Sequence, residues 1–179
     1  MRRGRRSSRW ARSFALGAVI GGAGVAVQLL AHVCGFWINV TASLPIGVYR
    51  VAPGPMRRGT LVLACAPVWA TQLARERRYL WKGPCPGGTV YLGKQIAAVA
   101  GDTVDVDSGG IAVNGAHLAN SRPLARDTRG RLLPVLRGRW VLRPGEVWLW
   151  AGWNPLSFDG RYFGPSSTGA VRSRISRIM

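Results

Sequence analysis

Between residues 13 and 40 the chain is one long, mostly apolar run, and beyond it apolar and polar residues alternate in short bursts. From Ser13 to Tyr49 there is no Asp, Glu, Lys or Arg, and the part from 14 to about 33 is long enough to cross a hydrocarbon core as a helix. The apolar h-region of a cleaved signal peptide is shorter, about 7–15 residues, so the run reads as an uncleaved anchor, residues 14–38. Beyond it, segments 47–52, 60–65, 89–100, 103–106, 110–113, 140–142, 147–151 and 170–178 are short, rich in β-branched or aromatic residues and parted by Gly, Pro or Asp, which predicts strands. Pro144-Gly145 reads as a hairpin turn. One helical patch, 69–80, carries Arg75, Arg77 and Arg78 on a solvated face. The segment 116–139 is polar, arginine-rich and without clear period, and reads as a loop or excursion. The expected architecture is mainly β: one domain over 39–179 with a small helical excursion, behind a basic tail (1–13) and one N-terminal transmembrane helix.

Charge changes this picture in one respect. A formal net charge of +18 suggests nucleic acid or an anionic membrane. Six arginines, Arg2, Arg3, Arg5, Arg6, Arg9 and Arg12, are packed ahead of the anchor, while the others are spread without one dominant run. No zinc-finger spacing or RNA-binding signature accompanies them, so the expected partner is a lipid bilayer and no nucleic acid. The basic tail then stays in the cytoplasm and everything after Ile38 is exported, to the periplasm or beyond. Export places Cys65 and Cys85, which bracket the helical patch, where such a pair normally closes. Cys34 is left over at the outer end of the anchor.

Chemistry centres on residues 39–50, NVTASLPIGVYR, between the anchor and the first predicted strand. Ser43 reads as a nucleophile if a base exists elsewhere to take its proton; the same stretch also reads as a Pro/Gly turn. Only Lys82 and Lys94 among 25 basic residues are lysine, and lysine, unlike arginine, gives up its proton when buried. Leu92, Lys94, Ile96 and Ala98 share one strand face that is otherwise apolar. To act as a base near neutral pH the amine needs a depression of about 3 units, worth about 4 kcal/mol, which desolvation can supply. A lysine snorkelling from a strand end is the competing reading. Neither His32, within or at the edge of the anchor, nor His117, in a polar segment, is flanked by a carboxylate that would orient it. Seven acids, two histidines and no CxxC or HExxH spacing point to no metal or other cofactor.

Three boxes add a resemblance. SLPIGVY at 43–49, GKQIAAVAGDTV at 93–104 and NPLSFDGRYFGP at 154–165 stand in the order found in the membrane-anchored Ser-Lys signal peptidase superfamily. The CAP at 65–67, the GPCPGG at 83–88 and the SLPxGxY form of the first box look like its conjugal-transfer TraF branch, whose members mature a pilin precursor. The resemblance implies a signal-peptidase-like β domain at the outer face of a bacterial inner membrane, acting on a precursor polypeptide beside other conjugation-apparatus subunits. It assigns Ser43 as nucleophile and Lys94 as general base. The Ser43 N–H and the Thr41 hydroxyl become oxyanion donors, Ser157 the group orienting the lysine, and Asp159 with Arg161 a supporting pair. Gln95, Trp153 and Gly160 depart from the general leader-peptidase pattern, and Gly160 separates the supporting acid and arginine where serine often stands. A general type I signal peptidase, or a non-catalytic anchored subunit of a conjugation or secretion channel, are the alternatives. Trp140, Trp148, Trp150 and Trp153, near the last box, fit either a membrane interface or a core.

Overall fold

The computed structural model describes residues 33–178 without a break and, ahead of them, residues 15, 18, 19, 21–24, 26 and 30. Those scattered residues are helical, but most of the predicted anchor, all of the basic tail and His32 lie outside the described residues. Among the described residues no helix is long and apolar enough to cross a membrane.

Eleven strands and two α-helices follow. The strands are β1 (Phe36–Asn39), β2 (Gly47–Val51), β3 (Leu61–Ala64), β4 (Leu92–Val99), β5 (Thr103–Val106), β6 (Ile111–Val113), β7 (Ala116–His117), β8 (Gly138–Val141), β9 (Glu146–Trp150), β10 (Ser166–Ser167) and β11 (Val171–Arg177). Helix α1 is Val68–Glu76 and helix α2 Gly160–Phe163. One sheet has seven strands in the order β1-β2-β11-β3-β4-β9-β10, and a second has four in the order β7-β6-β5-β8. All pairings are antiparallel.

Strand β1 begins at Phe36, inside the span 14–38 assigned to the anchor. FWIN is uncharged and merges with the apolar run before it, and only pairing with β2, Phe36 opposite Arg50 through Asn39 opposite Gly47, distinguishes it. Helix α1 starts after Pro67 and buries Ala70, Thr71 and Ala74, at the spacing that puts side chains on one helical face. It is shorter than the predicted patch. Arg77, expected in solvent, is half-buried at its C-terminal cap and donates to the Leu132 carbonyl at 2.6 Å.

One core lies between the larger sheet, α1 and α2, built on Val62, Leu92, Ile96, Leu149, Phe158 and Phe163. A second joins the sheets through Ala97, Ala98, Val104, Ile111 and Trp148. A bulge in β4 between Ile96 and Ala98 explains the division: the extra residue breaks the period-two alternation. Ile96 therefore packs in the first core and Ala98, predicted on the same face, in the second. A smaller cluster of Leu44, Tyr49, Leu63 and Ile175 lies under the first box. Of the tryptophans near the last box, Trp148 is fully buried with Trp140 5.3 Å from it, and Trp150 packs on the same cluster; Trp153 is exposed.

Cys65 and Cys85 are joined by a disulfide across 20 residues that contain α1. Cys34 is free and exposed in the turn before β1.

Candidate active site

The site forms where the β1–β2 connection, the middle of β4 and the segment between β9 and α2 converge. Asn39, the last residue of β1, shapes the first of these. It is 1% exposed, and its amide donates to the carbonyls of Thr41, Leu44 and Pro45 at 2.8, 2.9 and 3.1 Å. Its Oδ1 accepts from the Thr41 N–H and hydroxyl at 3.1 and 2.9 Å. Tyr49 Oη donates to the Pro45 carbonyl at 2.6 Å and completes the turn. The Thr41 hydroxyl is thus engaged by Asn39, and serving an oxyanion would require it to rotate out of that bond. Sequence reasoning assigned Asn39 no role, because an asparagine beside a Pro/Gly turn is commonplace.

Gly93 lets this turn lie against β4. A Cβ there would come within 2.8 Å of Trp37 and 3.0 Å of Leu44, closer than packed carbons approach. A side chain would therefore push the Ser43 turn away from the neighbouring Lys94.

Lys94 is 1% exposed and sits opposite Val62 on β3. Its Nζ donates to Ser157 Oγ at 2.6 Å, and Ser157 Oγ lies 3.0 Å from Ser43 Oγ. The three groups, far apart in sequence, form one hydrogen-bonded row with Ser157 in the middle. Burial pulls the Lys94 amine down from 10.5 to about 8; Asp159 raises it again in part, and Arg161 lowers it. The snorkelling alternative is excluded by this burial.

Ser157 is held by the pair beneath it. Asp159 and Arg161 are both 0% exposed. Arg161 donates Nε to Asp159 Oδ1 at 2.8 Å and Nη2 to Oδ2 at 2.9 Å, and uses its remaining donors on the carbonyls of Ser157 (2.9 Å), Pro155 (2.9 Å) and Arg122 (3.3 Å). Asp159 also accepts from the backbone N–H groups of Ala151 and Arg161, each at 3.1 Å. Burial would lower the Arg161 pKa, but its bonds and attraction to Asp159 outweigh that and raise it. Gly160 does not disturb the pair. A Cβ there would lie 2.5 Å from Trp148 Nε1 and 2.7 Å from the Leu149 carbonyl, so glycine accommodates the buried indole.

A cavity of about 250 Å3 opens beside Ser43. Leu92 and Phe158 from the sheet core, Leu80 from the disulfide-bracketed excursion, and Leu124 and Leu133 from the 116–139 segment line it. That segment, which has no readable period, is docked by tertiary hydrogen bonds. Tyr162 Oη accepts from the Leu124 N–H at 3.1 Å, and the Arg161 carbonyl from the Leu136 N–H at 3.1 Å. Its sole acid, Asp127, organises the turn after it. Desolvation pushes the Asp127 carboxyl up, but hydrogen bonds from Tyr79, Arg131 and Arg129 outweigh it and hold the group well below the usual carboxylate range. The sequence signal was present: one aspartate among six arginines between 116 and 139. His117 is exposed on β7. Among the described residues no group of three or more His, Cys, Asp or Glu is placed to hold a metal ion.

A serine hydroxyl, a second hydroxyl and a buried, depressed lysine in one row can generate an alkoxide-like nucleophile. A family description, signal peptidase, peptidase S26, matches residues 7–179, and the chain belongs to this family of serine peptidases. Within it, the chain is similar to plasmid transfer protein TraF of Escherichia coli, 37% identical over 177 residues with 96% of this chain and 98% of that protein covered. It is 40% identical over 150 residues to a probable conjugal transfer protein TraF of Sinorhizobium fredii, covering 81% of this chain and 77% of that one. Conjugal transfer protein TraF of Agrobacterium fabrum is 35% identical over 152 residues, with 83% and 82% covered. Among solved structures, a signal peptidase I from Enterococcus faecalis is similar at a TM-score of 0.40 and 15% identity, over 70% of this chain and 100% of that one.

Proposed function

We propose that this chain is a membrane-anchored serine endopeptidase that uses a Ser43–Lys94 dyad bridged by Ser157 to cut an exported precursor, a conjugative pilin subunit. The observation that carries the reading is the position of Ser157 Oγ, 3.0 Å from Ser43 Oγ and 2.6 Å from a buried Lys94 Nζ. With the amine neutral, Ser43 Oγ attacks the substrate carbonyl carbon while its proton passes to Ser157 and the Ser157 proton to Nζ. The resulting ammonium then protonates the leaving amine as the C–N bond breaks, and the freed amine base activates the group that resolves the acyl-enzyme. The Ser43 N–H is one donor to the oxyanion, and the Thr41 hydroxyl, turned from Asn39, is the second. The basic tail holds the N-terminus in the cytoplasm and places the β domain in the periplasm. The conjugal transfer named for the TraF relatives supports a pilin substrate, as do the CAP at 65–67, the GPCPGG at 83–88 and the SLPxGxY form of the first box.

The test is processing of the precursor in cells by folded variants. Ser43→Ala and Lys94→Ala abolish it, and Lys94→Arg is equally inactive, because guanidinium keeps the charge but cannot accept a proton. In the parent, activity rises with pH through about 8 as the amine deprotonates. Substantial processing by a folded Lys94→Arg protein would sink the dyad.

A further inference from the structure

The two excursions that wall the cavity beside Ser43 belong to different parts of the chain, and no sheet pairing joins them. A compact set of polar contacts does. Tyr79 Oη donates to Asp127 Oδ2. Asp127 Oδ1 accepts the N–H groups of Arg129 and Arg131, each at 2.9 Å, and Oδ2 accepts Arg131 Nε at 2.7 Å. Arg131 Nη2 reaches back to the Arg77 carbonyl at 3.3 Å, Arg77 Nη1 crosses to the Leu132 carbonyl at 2.6 Å, and the Arg131 guanidinium lies 5.6 Å from the centre of the Tyr79 ring. Leu80 is adjacent to one end of this clip, and Leu124 and Leu133 flank the other. All three leucines line the cavity.

We propose that this clip, centred on Asp127, sets the size of the substrate side chain that the cavity accepts, which makes Asp127 a specificity-determining positioning residue. The proposal rests on the reading of Ser43 as nucleophile. Asp127 accepts four donors, the full capacity of a carboxylate, and its one carboxylate takes bonds from both excursions, from Tyr79 on one and from Arg129 and Arg131 on the other. Asparagine at 127 keeps the volume but turns an NH2 toward groups that themselves donate, so one oxygen's worth of the clip is lost. The cavity then widens while the Ser43–Ser157–Lys94 row keeps its geometry, because the buried Asp159–Arg161 pair that holds Ser157 makes no bond to Asp127.

Peptide boronates test this on the full chain in detergent. The boron accepts an electron pair from Ser43 Oγ to form a B–O bond, and the hydroxyl proton goes to Lys94. A series with methyl, isopropyl, isobutyl and benzyl groups on the boron-bearing carbon then reads side-chain size directly, by displacement of a fluorescent boronate. Hydrophobic pockets discriminate single methylenes by about 10–200-fold, so a defined width gives the parent a steep size ranking. Asp127→Asn, and independently Tyr79→Phe, are expected to flatten it, moving the benzyl-to-methyl affinity ratio toward larger groups by about tenfold. A merely structural role would weaken every boronate alike and leave the ratio unchanged, and that result, with Ser43-dependent binding, overturns the clip alone. Binding that persists in Ser43→Ala, or no binding by any boronate, overturns the nucleophile reading and the clip with it.

Discussion

Two aspartate–arginine pairs flank the row of catalytic candidates, and they are built alike. Asp159 and Asp127 each accept four hydrogen bonds, two from backbone N–H groups and two from side chains. They differ in surroundings. Asp159 and Arg161 are 0% exposed, whereas Arg131, the partner of Asp127, is 34% exposed. They also differ in what they hold, since Arg161 grips the backbone that carries Ser157 and Asp127 ties one cavity wall to the other. A buried pair commits the fold to its geometry, because removing either partner strands a charge without water. The Asp127 side chain is itself only 7% exposed, but its partner reaches solvent, so altering this pair carries a smaller penalty. The same chemistry thus holds the Ser157 backbone in one place and joins two cavity walls in the other.

Breaking the buried pair should have the largest effect. Arg161→Met leaves Asp159 uncompensated and frees the Pro155 and Ser157 carbonyls, and is expected to cost about 3–5 kcal/mol in urea unfolding. Asp127→Asn in the same assay should cost clearly less. Equal losses would show that burial does not separate the two pairs.

Removing the disulfide should come next. Replacing Cys65 and Cys85 together by serine reopens a loop of 20 residues, a loss of about 3 kcal/mol in the chain-entropy model. Because that loop carries Tyr79, the double variant should lose size discrimination among the boronates while the depressed titration of Lys94 is kept. A shifted activity profile would mean that the two regions are coupled.

The smallest effect has the opposite sign. The Lys94 amine titrates at about 8 in the fold against 10.5 ordinarily, so the unfolded chain binds more protons between those values and stability rises with pH across that window. Below it, the buried charge costs about 3 kcal/mol, partly offset by the bond to Ser157. Lys94→Met should therefore be inactive yet about 2 kcal/mol more stable than the parent at pH 7, with the gap closing toward pH 10.5. Thermal or denaturant melts at the two pH values check this, and a variant less stable at pH 7 would contradict it.

The sequence revealed these regions unequally, for physical reasons. Strands β2 to β6, β8, β9 and β11 were legible because buried strands concentrate β-branched and aromatic residues between turn formers. Strands β7 and β10 have two residues each, too few for any period. Ser43 and Lys94 stood out because a candidate nucleophile could be set against one of only two lysines, on an otherwise apolar strand face, whereas Ser157 was reached only through the resemblance of the last box. The role of Asn39 did not stand out, since its bonds are visible only once the turn is closed. The wall at 116–139 was the least legible: no apolar period shapes it, and its form comes from Tyr162, Arg161 and Asp127 reaching it from across the molecule or along the turn.

The seven-stranded sheet carries a consequence for the order of assembly. Strand β2, which ends the hairpin bearing Ser43, has only β1 and β11 as neighbours, and β11 in turn pairs with β3. The hairpin is thus sewn to the body of the sheet by β11, which follows every other described strand in the chain. While residues 171–177 are still missing, Ser43 and Lys94 are both present in the chain, but the hairpin lacks the strand that pairs it with the rest of the sheet. The fold is therefore expected to delay its own armament: a chain cut short before β11 carries Ser43 on a hairpin without that sheet neighbour, and should hold it less firmly against Lys94 than the whole chain does.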